Sequence, residues 1–225
     1  MSTAVVVGAT GLIGSHCLRL LIAAADYRRV LVFARRPTGL QSPKLDERII
    51  DFEHLPELAV LPVGDVFCAL GAILKQAGSW AAFRRVDYDY VLYTAQWAVR
   101  AGASQFLLVS SVGASRRSLI RYTRLKGQIE DAVCALPFRS VHIFRPSFLL
   151  GPHTVARPRD EAMLKVALPL ERMYFGPLLR WHSIGGDRVA AAMLGAALKA
   201  EPGVHIYHYQ EMLALADEAL RLKCL

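Results

Sequence analysis

Tyr122 and Lys126 stand at i and i+4 in a segment of helical period, downstream of a strand that closes on Ser110-Ser111. On a helix that spacing projects both side chains onto one neighbouring face. A tyrosine phenol titrates near pH 10, roughly, and an ammonium group beside it favours the phenolate. Such a phenol can give a proton to a carbonyl oxygen, or take one back, close to neutral pH. A serine hydroxyl polarising the same oxygen would complete the arrangement. Ser111 fits that role best in the register SS-x-G, with Ser110 behind it. The chemistry is proton transfer coupled to a hydride carrier.

A hydride carrier needs a binding loop, and the chain opens on one. Residues 3–14 read TAVVVGATGLIG, a run of β-branched residues, then glycines 8, 11 and 14, then an apolar helical pattern. Strand, tight turn and helix in that order place a pyrophosphate on free helix amides. Gly8 serves the turn, Gly11 lets backbone approach the phosphates, and Gly14 lets helix and strand pack closely. A second strand, Val30 to Ala34, ends on Arg35-Arg36. In a dinucleotide fold an acid at this corner binds the 2′-hydroxyl of NAD, whereas arginine accommodates the 2′-phosphate of NADP. No Asp or Glu occupies the corner, so NADP(H) is the expected coenzyme. Asp51-Phe52, at the end of a short strand from Arg48, would flank the adenine. A buried strand from Asp65 ends on Leu70-Gly71, where the chain would pass beneath the coenzyme.

The remaining segments must hold these groups in place. Ile13, Cys17, Leu20, Leu21 and Ala24 mark a first helix, and Gln41 to Asp46 and Lys75 to Ser79 read as loops. Ser79 has the character of an N-cap for a long helix ending at Arg100-Ala-Gly102. Val86, Tyr90, Tyr93 and Trp97 share a face of it, as core or as a homodimer contact. Leu125, Ile129, Ala132, Val133 and Leu136 give the Tyr122 helix its packing face. Val141 to Arg145 is another strand. Strands alternating with helices throughout imply an α/β fold with a doubly wound, mostly parallel sheet. Beyond Gly151 prolines interrupt the pattern. A helix near Asp187 to Lys199, a strand at Val204–Tyr207 and a last helix close the chain. The expectation is one domain over 1–225, with 151–225 forming a small substrate-side cap that His153, Arg157, Trp181 and His182 would line.

With 225 residues, 54% of them hydrophobic, a large core is available. No apolar stretch approaches the roughly 20 residues of a bilayer span, and the N-terminus lacks the features of a secretory signal. Cytoplasmic location and no membrane partner follow as expectations. The net charge of +8 comes from scattered arginine pairs without a basic helix, so no nucleic-acid partner is expected. Four cysteines without a CxxC pair argue for reduced core residues and against a metal site.

The stretches GATGLIG, ARRP, CALG, AGSWAAFRRVDYDYVL, LLVSSVGAS, YTRLKGQIE and IFRPSFLLG resemble an atypical short-chain dehydrogenase/reductase. The branch is the one that includes the Tat-interacting oxidoreductase and its bacterial relatives, and the likeness runs from Val5 to Gly151. It implies a Rossmann fold binding NADPH, with coenzyme contacts on Thr10, Gly11, Leu12, Ile13, Arg35, Arg36, Leu70 and Gly71. It also places the proton-transfer pair on Tyr122 and Lys126. The usual RPG after the sixth strand is RPS here, with Ser147. Three functions fit: a reductase of a small carbonyl substrate, a coenzyme-bound regulator without turnover, and a sugar-nucleotide epimerase. The last suits poorly the roughly 75 residues after Gly151, few for a nucleotide-sugar lobe.

Overall fold

The β-branched run at the N-terminus becomes the central strand β1 (Ser2–Val7). Its side chains alternate between two cores. Ala4 and Val6 join one apolar cluster, and Val5 and Val7 join the other. A strand covered on both faces has no polar side, which is why its sequence shows no alternation. The computed structural model describes residues 2–151 and 176–223.

Within them β2 (Tyr27–Ala34), β3 (Leu45–Ile49), β4 (Asp65–Cys68), β5 (Gln105–Val109), β6 (Ser140–Phe144) and β9 (Gly203–Tyr207) complete a seven-stranded sheet. The order is β3-β2-β1-β4-β5-β6-β9 and every pairing is parallel. The chain reverses direction of travel at β1, so a crevice opens beyond the carboxyl ends of β1 and β4. Two short strands, β7 (Leu149–Leu150) and β8 (Ile184–Gly185), pair separately.

Helices α1 (Leu12–Ala23), α6 (Gly186–Lys199) and α7 (Tyr209–Lys223) cover one face. The other carries α4 (Tyr90–Arg100) and α5 (Arg121–Cys134). The doubly wound α/β expectation is met. Two local readings are corrected. The loop ending at Asp46 already contains the start of β3, whose Leu45 pairs with Val30, so sheet pairing overrides the polar composition. The loop at Lys75 holds a short helix, α2 (Leu74–Ala77). His153 and Arg157 lie outside the described residues, and with them much of the expected cap.

A polar chain runs through the sheet beneath α6. Tyr27 donates to Asp65 at 2.7 Å, Gln105 Nε2 donates to Asp65 and to the Ala197 carbonyl, and His142 bridges Gln105 and Tyr207. His142 is fully buried, and burial, with His205 beside it, lowers its pKa to about 4 from 6.5. A folded value below the unfolded one means a contribution present above pH 6.5 and lost as pH falls towards 4. The shift corresponds to about 3 kcal/mol. His142→Gln keeps hydrogen-bonding capacity without titrating, so its melting temperature should fall less between those limits than that of the wild type. An unchanged acid limb in the variant would contradict this account.

Candidate active site

The glycine loop forms one wall of a deep opening in the described structure. Gly8 has φ +84, and a Cβ there would lie 2.5 Å from the Ala69 carbonyl oxygen. A Cβ on Gly14 would lie 2.1 Å from the Gly8 oxygen. Only glycine therefore lets α1 start so close to the β1 and β4 ends. The N-cap of α1 is Gly11, without a capping side chain and with no acid in the first turn. The first-turn amides thus face the crevice uncapped, with the helix dipole behind them.

The cavity there measures about 700 Å3, within the range of cofactor sites. Gly8, Thr10, Gly11, Leu12, Arg35, Arg36, Phe52, Leu70 and Gly71 all line it. Of the other residues expected to contact coenzyme, Ile13 is 5% exposed in the core and Gly14 is buried beneath Gly8. Asp51 is not on the wall either: its carboxylate caps the turn Phe52–Glu57 by accepting from the Glu53 amide at 3.1 Å. A dinucleotide fits this cradle, which offers uncapped amides at one end and two guanidinium groups at the rim.

Several residues of the wall were not anticipated as such, among them two from the long helix. Val86 and Tyr90 line the cavity, and Tyr90 stacks on Phe52 with centroids 5.4 Å apart. They come from an irregularity in the long helix. Ser79 caps its start as expected, accepting from the Ala82 amide. Between α3 (Trp80–Arg84) and α4, however, Arg85–Asp89 forms a turn of π-helix, with the Tyr90 amide donating to the Arg85 carbonyl. The wider turn displaces the face, a device often found at functional sites. It also puts Asp87 inside.

Asp87 is 1% exposed and holds both sides of the site together. One carboxylate oxygen accepts from the amide of Ala72 in the cavity wall at 2.7 Å; the other meets Lys126 Nζ at 2.8 Å. Lys126 is itself only 5% exposed. Burial works against its charge, yet Asp87 and then Tyr122 outweigh burial and raise its pKa above the ordinary lysine value. Lys126 is therefore a fixed cation at any neutral pH, one helical turn below Tyr122.

Tyr122 is 39% exposed, its ring 6.0 Å from that of Phe83. Neither it nor the serines belongs to the lining of the 700 Å3 cavity. Ser111 is half-buried, its hydroxyl bonded, among the described residues, only within its own loop, to the Val112 carbonyl at 3.3 Å. Ser110 is buried, and its hydroxyl has no hydrogen-bond partner among the described residues. Ser147 donates to the Trp181 carbonyl at 2.7 Å, and His182 stacks on Tyr209. The Arg145 guanidinium clasps Glu130 of α5 with two nitrogens, which fixes the Tyr122 helix against β6.

A model of the NAD dependent epimerase/dehydratase family matches residues 4–117. The chain belongs to that family. Protein FMP52 of Candida glabrata is 36% identical over 226 residues, covering 96% of each chain. Protein HTATIP2 of Rattus norvegicus is 34% identical over 178 residues, covering 77% of this chain and 70% of its own. Among solved structures, the human epimerase family protein SDR39U1 with NADPH superposes at a TM-score of 0.59 and 19% identity. It covers 92% of this chain and 74% of that one, and shows the shared fold. The short-chain dehydrogenase/reductase resemblance stands, and membership carries nicotinamide-dinucleotide binding without choosing between NAD and NADP.

The cytoplasmic expectation does not stand. The Candida glabrata relative is named mitochondrial, as are those of Aspergillus clavatus and Scheffersomyces stipitis, at 32% and 30% identity. The expectation leaned on the lack of a secretory signal, and secretion is only one route out of the cytosol.

Proposed function

We propose that the protein is an NADPH-dependent oxidoreductase that reduces a small carbonyl substrate. The observation that carries this reading is the contact chain from Ala72 in the cavity wall through Asp87 to Lys126. It ties the coenzyme cradle to the turn bearing Tyr122. Bound in the cradle, NADPH would supply a hydride to the carbonyl carbon. Tyr122 gives its phenolic proton to the carbonyl oxygen, so that carbonyl becomes alcohol with one hydride and one proton added. Lys126 stabilises the phenolate left behind and would hold the nicotinamide ribose of a bound coenzyme. Ser111 donates to the same carbonyl oxygen, with Ser110 supporting it. Asp87 keeps Lys126 charged and fixed in place.

Purified protein should consume NADPH in the presence of some members of an aldehyde and ketone panel. The position of Tyr122 outside the cavity lining favours a second reading, a coenzyme-bound regulator. NADPH binding with no turnover across the panel would select that reading and reject the first.

Arg35 and Arg36 support a preference for NADP, since both line the cavity at the end of β2, no acid lines it with them, and guanidinium groups suit a 2′-phosphate. Replacing both by alanine should weaken NADPH binding roughly tenfold to a hundredfold, the size of a lost charge-assisted contact, and leave NADH binding nearly unchanged. Calorimetric titration with each coenzyme checks this, and equal losses for the two would refute the assignment.

A further inference from the structure

We propose that residues 115–124, beside the active-site turn, dock the protein on an anionic lipid surface. Leu119 is 94% exposed and Ile120 is 65% exposed, consecutive apolar side chains in water. They are held outward by an ordered loop. Ser118 donates from its amide to the Ser115 carbonyl, shares a 2.7 Å hydrogen bond with Thr123 and accepts from the Ile120 amide. The Ser115 amide in turn donates to the Thr123 carbonyl at 3.0 Å. Ile120 occupies the N-cap of α5, a position where serine, threonine or aspartate would both cap the helix and suit water.

The charges around this tip point the same way. Arg116, Arg117, Arg121 and Arg124 flank it along the chain, and the first turn of α5 contains no acid. Cations at a helix N-terminus oppose the dipole and raise the local positive potential. Arg116 has a loose 3.8 Å contact with Asp131, and Arg121 lies over the Trp80 ring at 4.4 Å. Arg117 and Arg124 have no ion-pair partner among the described residues. An apolar tip in a collar of arginines matches a surface with acyl chains beneath a layer of negative headgroups. A protruding tip, unlike a groove, needs a partner that yields around it, and a bilayer interface does. No helix of the described residues is long and apolar enough to cross a membrane, so the contact is peripheral. The expectation of no membrane partner rested on that missing span, and side-chain exposure in a loop is invisible to it.

The test is co-sedimentation of the full chain with vesicles of phosphatidylcholine, with and without phosphatidylserine at roughly one part in four. Binding is expected only to the anionic vesicles, and should fall at least about tenfold when salt rises from about 0.1 M to about 0.5 M. The double variants Leu119→Ser/Ile120→Ser and Arg117→Gln/Arg124→Gln should each lose about tenfold or more while keeping melting temperature and NADPH binding. Absent binding to anionic vesicles, or binding untouched by both double variants, would overturn the proposal. So would a dimeric wild type that the Leu119→Ser/Ile120→Ser change makes monomeric in light scattering, since the tip would then belong to a second copy.

Discussion

Asp87→Asn should lower the stability of the protein by about 3–5 kcal/mol, because it strands a buried cation. For a chain of this size that corresponds to a fall of roughly 6–20 °C in melting temperature. The side chains of Lys126 and Asp87 are 6% and 2% exposed, so water cannot take over from the lost carboxylate. Asparagine retains an oxygen for the Ala72 amide but turns its NH2 towards the ammonium, so Lys126 loses both the charge and the acceptor it meets. The pH dependence separates this from a simple packing defect. In the wild type the folded Lys126 pKa is raised, so its contribution is complete below about 10.4 and flat through neutrality. Without Asp87, burial dominates and depresses the folded value, and the penalty shrinks as rising pH neutralises the lysine. The gap between variant and wild type should therefore narrow from pH 7 towards pH 10, approximately. Adding Lys126→Met removes the stranded charge and should recover much of the stability while leaving turnover lost. A gap independent of pH, or no recovery in the double variant, would refute this account of the pair.

Asp87 also marks where sequence reading loses its grip. The glycine loop, the arginine corner and the Ser79 cap are all legible because each depends on neighbours within one turn or one strand end. The same local logic found β1, since a strand buried on both faces is written as an unbroken apolar run. The long helix from Trp80 is different. The π turn at Arg85–Asp89 interrupts its period and carries Asp87 into the interior. Val86 within the turn and Tyr90 just after it line the cavity, while Trp97, two turns further along α4, packs in the core. A usable signal was present: an aspartate within an aromatic helix face and a lysine within an apolar one, each costly to bury alone. Their pairing spans 39 positions, from 87 to 126, and no periodicity reports a contact at that range. The buried chain from Tyr27 to Tyr207 escaped for the same reason, since strand order must be known before Asp65, Gln105 and His142 can be placed side by side.

Tyr122→Phe should reduce carbonyl-dependent NADPH oxidation by about 10²–10⁴-fold, the usual contribution of one positioned proton donor. The change removes only the hydroxyl. The ring keeps its contact with Phe83, and the Lys126–Asp87 pair keeps its geometry. Melting temperature and NADPH affinity should therefore stay close to wild type, and the loss should fall on kcat. Activity within about threefold of wild type would remove Tyr122 from the chemistry, since even a weakly acting proton donor contributes more. A loss of coenzyme binding alongside turnover would instead make it a ligand of the cradle, and would move the proton source to another residue.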